Sequence, residues 1–200
     1  MGTKHKRVNR DTDVHDEETV KKRRSGELML MDRKEIVGRI LDTAISLWFG
    51  ERDPVSIHVL ACVAHQNLYA IGKRRGAGGP VLKQNVSWED IYSGYNDIRH
   101  SNGDPNHRDQ FAPGNNLTLL TDCVGSFKEL FGFHSPWMMT FACYLTESVF
   151  PQPEGAAKRQ LRSLFPSLRI DEIAKLPMQQ FAQRMQPIFQ RAFTVGFQAW

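Results

Sequence analysis

Two histidines, one arginine and two aspartates crowd into the stretch YNDIRHSNGDPNH at residues 95–107. If Arg99 and His100 face a cleft, this cationic pair can hold a phosphate, and His100 can exchange a proton near neutral pH. Asp104 can orient His100 from the adjoining loop. His58 would complete the site if it converges with His100. These four residues are the candidate catalytic set of a nuclease or another phosphate-directed enzyme.

A capped helix end explains the same stretch in structural terms. Gly103 and Pro105 are strong turn formers, so a helix that opens near Ser87 is predicted to stop before Gly103. Arg99 and His100 would then lie in its last turn, where cations interact favourably with the helix dipole. Both explanations stay open at the level of the sequence.

A second group of polar residues recurs at helical spacing. His58, Cys62, His65 and Tyr69 stand four, three and four positions apart, which places them on one stripe of a helix. Zinc takes histidine and cysteine ligands, but no second cysteine lies near in sequence, so no metal site is predicted. The alternatives are a stripe between core and solvent, with each histidine satisfied by one hydrogen bond, and a catalytic or binding role for His58 or His65.

Familiar catalytic and cofactor motifs are missing from the chain. It contains no P-loop, GxGxxG, GxSxG, HExxH or CxxC motif, so no cofactor is predicted. The cysteines Cys62, Cys123 and Cys143 lie in apolar segments, which predicts buried, reduced thiols in a cytoplasmic protein. The charged N-terminus is unlike a signal peptide, and no apolar run reaches the roughly 18 residues of a membrane span.

The positive charge is concentrated towards the two ends of the sequence. Residues 1–34 and 152–200 carry +3 and +4, whereas residues 35–151 carry −3. Basic runs at 21–24 and 73–75 resemble patches that contact phosphates, and the second run is predicted to lie in a flexible Gly-rich loop. The candidate nucleic-acid-binding residues are Lys21, Lys22, Arg23, Arg24, Lys73, Arg74 and Arg75. Ordinary solubilising charge is the alternative explanation.

Apolar residues at helical spacing predict an all-α fold without a sheet. Residues 1–26 hold almost no apolar side chains, which predicts a disordered basic tail. Residues 32–150 are predicted to form a helical bundle. Residues 152–200 are predicted to form a C-terminal helical extension of three segments, 154–164, 168–176 after a Ser167 cap, and 177–198, which Pro187 kinks or splits. The helices predicted in the bundle are 32–50, 53–72, 87–100, 117–132 and 135–150.

Two stretches resemble motifs of a group of uncharacterised bacterial helical proteins. The run DPVSIHVLACVA at 53–64 resembles their DPVSIHTLAAAA stretch, and IRHSNGDP resembles their FFKHADRDP stretch. His58 and His100 match the two histidines, and Arg99 takes the place of a lysine. The resemblance covers about residues 36–150, and it implies a helical fold but no particular activity.

The predicted bundle also resembles HEPN domains, which are all-α bundles common in toxin, antiphage and nucleotide-linked systems. Their ribonuclease members place four to six residues between an arginine and a histidine that act across a dimer. Here Arg99 is followed directly by His100, and seven residues separate Arg99 from His107. The resemblance therefore implies a HEPN-like bundle without this ribonuclease spacing.

Three functions follow as hypotheses. The first is a HEPN-like accessory or interaction protein, bacterial or phage-encoded, that binds a protein partner or a second copy of itself. The second is the nuclease described above. The third is a nucleic-acid-binding module that contacts RNA or DNA through its basic tails and the run at 73–75. None of the three involves a membrane.

Overall fold

Helices make up the regular structure of the described residues. The computed structural model describes residues 31–77, 92, 95, 111–150, 162–163 and 165–194, and this part of the chain contains no strand. Its elements are α1 (Arg33–Phe49), α2 (Pro54–Arg75), α3 (Asn115–Phe131), α4 (Pro136–Tyr144), a π-helical turn (Leu145–Val149), α5 (Ile170–Ile173) and α6 (Met178–Thr194). Tyr92 and Tyr95 are also helical. The predicted all-α bundle is confirmed.

The start of α2 follows the predicted capping chemistry. The side chain of Asp53 accepts hydrogen bonds from the backbone N–H groups of Val55 and Ser56, at 3.2 and 2.9 Å. Pro54 occupies the first turn, where its missing N–H costs nothing. These two residues fix the point at which the chain turns from α1 into α2.

The predicted end of α2 at Gly72 is wrong. The helix continues for another turn to Arg75, so Lys73, Arg74 and Arg75 are helical and do not form a flexible loop. Gly76 ends the helix with φ 62°, and the N–H of Ala77 bonds the carbonyl of Gly72 at 3.1 Å. A glycine inside a helix costs only about 1 kcal/mol, and three cations favour the last turn, so helix formation outweighs the break at Gly72.

The junction between α3 and α4 is a tight turn. Gly132 adopts φ 80°, and its N–H bonds the carbonyl of Lys128 at 2.7 Å. Ser135 caps α4, as predicted, by accepting from the N–H of Met138 at 3.1 Å. The hydroxyl of Ser135 also donates to a carboxylate oxygen of Asp42, which ties the start of α4 to α1.

The core lies where α1 contacts α2, α3 and α4, and α4 contacts α6. At one end, Trp48 and Phe141 meet edge to face at 5.2 Å, as do Phe49 and Tyr144 at 5.6 Å. Tyr144 continues the cluster to Phe181 of α6 at 5.1 Å. Each fully buried side chain of this kind contributes roughly 1.5–3 kcal/mol, so α6 is held to the bundle by aromatic packing.

The C-terminal helices differ from the prediction in two places. The short helix α5 begins at Ile170 after Arg169, and no side chain caps it, so the predicted Ser167 cap is wrong. Pro187 does not split α6, which runs unbroken from Met178 to Thr194, and the alternative of a kink stays a prediction. Pro187 is exposed, while the inner face of α6 is buried, so packing on that face compensates for the lost backbone hydrogen bond.

Several predicted features lie outside the described residues. These are the disordered tail at 1–26, most of the helix at 87–100, the turn at 101–110 and the segment 151–161 before the C-terminal helices. The division into tail, bundle and extension therefore stays a prediction. In the described part of the chain, no helix has the length and apolar character needed to cross a membrane.

Candidate functional site

His58 lies in the core near the start of α2, with only 3 % of its surface exposed. Its Nδ1 is 3.0 Å from Oδ1 of Asn116, in the first turn of α3. The side-chain amide of Asn116 donates to the carbonyl of Pro54 at 2.9 Å. That second bond fixes the orientation of the amide, so its oxygen faces His58, and Nδ1 of His58 carries the hydrogen.

The other nitrogen of His58 faces a thiol. Nε2 lies 3.5 Å from Sγ of Cys62, and the ring of Phe111 packs edge to face at 5.2 Å. Burial lowers the pKa of His58 and raises the pKa of Cys62 to about 12. Both groups are therefore neutral near pH 7, and the imidazole serves as a hydrogen-bonding link between α2 and α3.

His65 is the centre of a second buried network. Its Nε2 donates to Oδ2 of Asp122 at 2.8 Å, and its Nδ1 is 2.6 Å from the hydroxyl of Tyr92. The His65 side chain is fully buried, and that of Asp122 is 8 % exposed. Burial raises the pKa of Tyr92 well above its ordinary value, so the phenol keeps its proton. The network joins α2, α3 and the helical residue Tyr92.

Within the stripe of His58, Cys62, His65 and Tyr69, each histidine bonds a residue of α3, and the catalytic or binding role considered for them stays a prediction. Both histidines lie inside the core and not at a boundary with solvent, and His65 has a partner at each ring nitrogen. Within the described ranges, no group of three or more histidines, cysteines or carboxylates is arranged to hold a metal ion. His58 and His65 each join α2 to α3 by a separate hydrogen bond.

Most of the candidate catalytic set cannot be placed. Arg99, His100 and Asp104 lie outside the described residues, and only His58 is positioned. The convergence of His58 with His100 stays a prediction. The contacts to Asn116 and Cys62 already account for both ring nitrogens of His58.

Among the candidate nucleic-acid-binding residues, Lys73, Arg74 and Arg75 lie exposed in the last turn of α2. Arg75 is held by two contacts. Its Nη1 donates to the carbonyl of Leu130 at 2.7 Å, and its Cζ lies 5.2 Å from the ring centroid of Phe131. The run at Lys21–Arg24 lies outside the described residues.

Three further cations lie at the same end of the bundle, where α1 begins and α3 ends. Arg33 donates to Oδ1 of Asn67 on α2 at 3.0 Å. The ammonium of Lys34 lies 5.6 Å from the ring centroid of Phe133, and that of Lys128 donates to the carbonyl of Gly132 at 3.1 Å. We call this surface the basic end, and it comprises Arg33, Lys34, Lys73, Arg74, Arg75 and Lys128.

Few negative charges offset these cations. Asp32 directly precedes α1 and is exposed, as is Glu129 on the last turns of α3. Glu35 lies on the first turn of α1 and pairs with Arg39 at 2.8 Å. The six cations exceed these three carboxylates. The basic end therefore carries a positive potential that attracts anions.

Half of the residues of the basic end could be predicted from the sequence. The run at 73–75 was predicted from the sequence, but Arg33, Lys34 and Lys128 were not, because a pair of cations and a single cation do not stand out as a basic run. Asn116 and Asp122 were not predicted as partners of the histidines. Only the fold brings the start of α1 and the ends of α2 and α3 together.

The comparisons with known proteins assign no family to the chain. No protein-family model, curated protein or solved structure matches it. The two resemblances drawn from the sequence therefore stay predictions, and the function is argued from the geometry alone.

Proposed function

We propose that this protein is a helical nucleic-acid-binding module and that the basic end is its binding surface. The observation that carries the proposal is the meeting of six cations from α1, α2 and α3 on one end of the bundle. Nucleic-acid phosphates present closely spaced negative charges, and clustered lysines and arginines are the side chains that bind them.

The cations of the basic end are available to a ligand to different degrees. Lys73 and Arg74 are exposed, and within the described ranges neither has an ion pair. Arg75 and Lys34 lie over aromatic rings, contacts that leave their charge intact. Lys73 and Arg74 are therefore the residues that contribute most directly to phosphate binding.

The buried histidines support a binding role over catalysis. A general base must reach the proton that it abstracts, and a nucleophile needs access to substrate. His58 and His65 are buried and take part in hydrogen bonds that join helices. Among the described candidates, neither histidine is placed to act as a general base, and a binding role also suits the accessory protein considered from the sequence.

Two paired variants test the proposal. Lys73→Gln/Arg74→Gln removes two charges from the basic end, and Arg52→Gln/Arg184→Gln removes two from other exposed positions. Arg52 precedes α2, whose 22 residues span about 33 Å, so it is far from the basic end. Arg184 lies one turn after Phe181, which packs in the aromatic cluster at the opposite end of α1. Fluorescence anisotropy with a labelled 20-mer oligonucleotide at low salt measures the affinity of each protein.

We expect the Lys73/Arg74 variant to bind roughly tenfold more weakly, because two phosphate contacts are lost. The Arg52/Arg184 variant should bind within about twofold of the unmodified protein, since its charges act only at long range. Equal loss in both variants would indicate a general charge effect and would overturn the proposed surface. Cleavage of the oligonucleotide during the titration would contradict a role limited to binding.

A further inference from the structure

The basic end contains a row of aromatic rings beneath its cations. Phe127 lies at the centre, with ring centroids 4.7 Å from Phe131 and 5.5 Å from Phe133. Gly132, at φ 80°, reverses the chain between the two outer rings, so both contact Phe127. Arg75 lies over Phe131 and Lys34 over Phe133, one cation at each end of the row.

Arg75 is held in place before any ligand binds. The bond from its Nη1 to the carbonyl of Leu130 and the contact with Phe131 restrict the guanidinium. A guanidinium is planar, and nucleic-acid bases stack on such planes as they do on aromatic rings. Because the group is already ordered, stacking on it costs little conformational entropy.

The arrangement of the other cations suits a flexible strand better than a duplex. Lys73, Arg74 and Arg75 are consecutive, so their Cα–Cβ directions differ by about 100° around the helix axis. They fan out around the end of α2 and do not form a stripe along one helix face. A helix that reads the major groove needs base-contacting side chains along one face, and duplexes keep their bases stacked inside.

We propose that the basic end binds single-stranded nucleic acid, with one base stacked on Arg75 and the neighbouring phosphates bound by Lys34, Lys73 and Arg74. This inference rests on the proposed function and names its substrate class. Arg75 then contributes through its planar shape as well as its charge, whereas Lys73 and Arg74 contribute through charge alone.

Three ligands of equal length separate stacking from charge. They are a labelled single-stranded 12-mer, the same strand with abasic sites at every internal position, and the 12-mer paired with its complement. The abasic strand keeps the phosphates and loses the bases. We expect the full-length protein to bind the normal strand at least fivefold more tightly than the abasic strand, and also more tightly than the duplex.

Two conservative variants extend the test to the protein. Arg75→Lys keeps the charge and loses the plane, so the preference for the normal strand over the abasic one should fall to less than twofold. Arg74→Lys is the matched control and should keep the preference. Thermal unfolding of both variants checks that Arg75→Lys has left the fold intact. A third variant, Arg75→Gln, loses both the charge and the guanidinium plane. It should lose the preference for the normal strand and also bind the abasic strand more weakly.

The outcomes distinguish this inference from the proposed function. Equal, salt-sensitive binding of normal, abasic and duplex ligands would overturn the single-strand inference and leave a charge-based nucleic-acid surface in place. Absence of binding to all three ligands at low salt would overturn both. A preference for normal strands that Arg75→Lys and Arg75→Gln both retain would overturn the assignment of the stacking role to Arg75.

Discussion

His65 and Asp122 form a buried pair that joins α2 to α3, with Nε2 of the histidine 2.8 Å from Oδ2 of the carboxylate. Tyr92 bonds the other side of the ring, so one imidazole connects three parts of the chain. Unmet polar groups in a core cost more than well-made hydrogen bonds contribute. The pair is therefore a point at which the fold is sensitive to substitution.

Replacing His65 with glutamine should lower the free energy of unfolding by about 2–3 kcal/mol, because glutamine cannot satisfy Asp122 and Tyr92 in the same geometry. Urea unfolding followed by circular dichroism measures the change. Thr118→Ala, at an exposed position on α3, is the control and should stay within about 0.5 kcal/mol. If His65→Gln were as mild as the control, the network would have no structural importance.

Asp42 should make stability fall as the pH rises. Burial raises the pKa of its carboxyl group from 3.8 to about 6, although the hydrogen bond from Ser135 acts in the opposite direction. The folded state therefore holds a proton that the unfolded chain releases between about pH 4 and 6, and ionising Asp42 at higher pH costs stability.

The substitution Asp42→Asn isolates this effect. Asparagine has no charge to desolvate and can still accept from Ser135, so the variant should be more stable than the unmodified protein at pH 7 by about 2 kcal/mol. The difference should shrink towards zero at pH 4. Paired urea titrations at both pH values measure it, and a difference that is independent of pH would show that Asp42 does not titrate in this range.

Gly132 and Gly125 should respond in opposite ways to alanine. Gly132 has φ 80°, which is unfavourable for alanine, so Gly132→Ala should destabilise the protein by about 1 kcal/mol. Gly125 lies exposed inside α3, with no neighbour near the position of an added Cβ, so Gly125→Ala should stabilise it by about 0.5–1 kcal/mol. Thermal unfolding distinguishes them, and changes of the same sign would contradict the described end of α3.

Local chemistry explains why some of the fold could be predicted from the sequence. Asp53 with Pro54, and Ser135 with Pro136, mark helix starts through contacts within a few residues, and both starts are confirmed. The prediction of a helix end at Gly72 is wrong because the φ angle of a glycine cannot be read from the sequence. The helix ends instead at Gly76, so α2 includes a further turn with three cations.

The site was less predictable because its residues are far apart in the chain. His58 meets Asn116, and Arg75 meets Leu130, across more than fifty positions. Spacing along one helix placed His58 and His65 on a common stripe, but it could not say which helix would cover that stripe. For the same reason, the sequence does not show that Lys34 and Lys128 lie at the same end of the bundle as Arg75, because this depends on where three helices begin and end.

The salt dependence of binding tests the central claim most directly. The affinity for the single-stranded 12-mer is measured by anisotropy at NaCl concentrations from about 25 to 300 mM. If Lys34, Lys73 and Arg74 bind three phosphates, the logarithm of the association constant should fall against the logarithm of salt with a slope of about −2. The Lys73→Gln/Arg74→Gln variant should flatten the slope by about 1.4. A slope near zero for the unmodified protein, or the same slope in the variant, would contradict a phosphate-binding basic end.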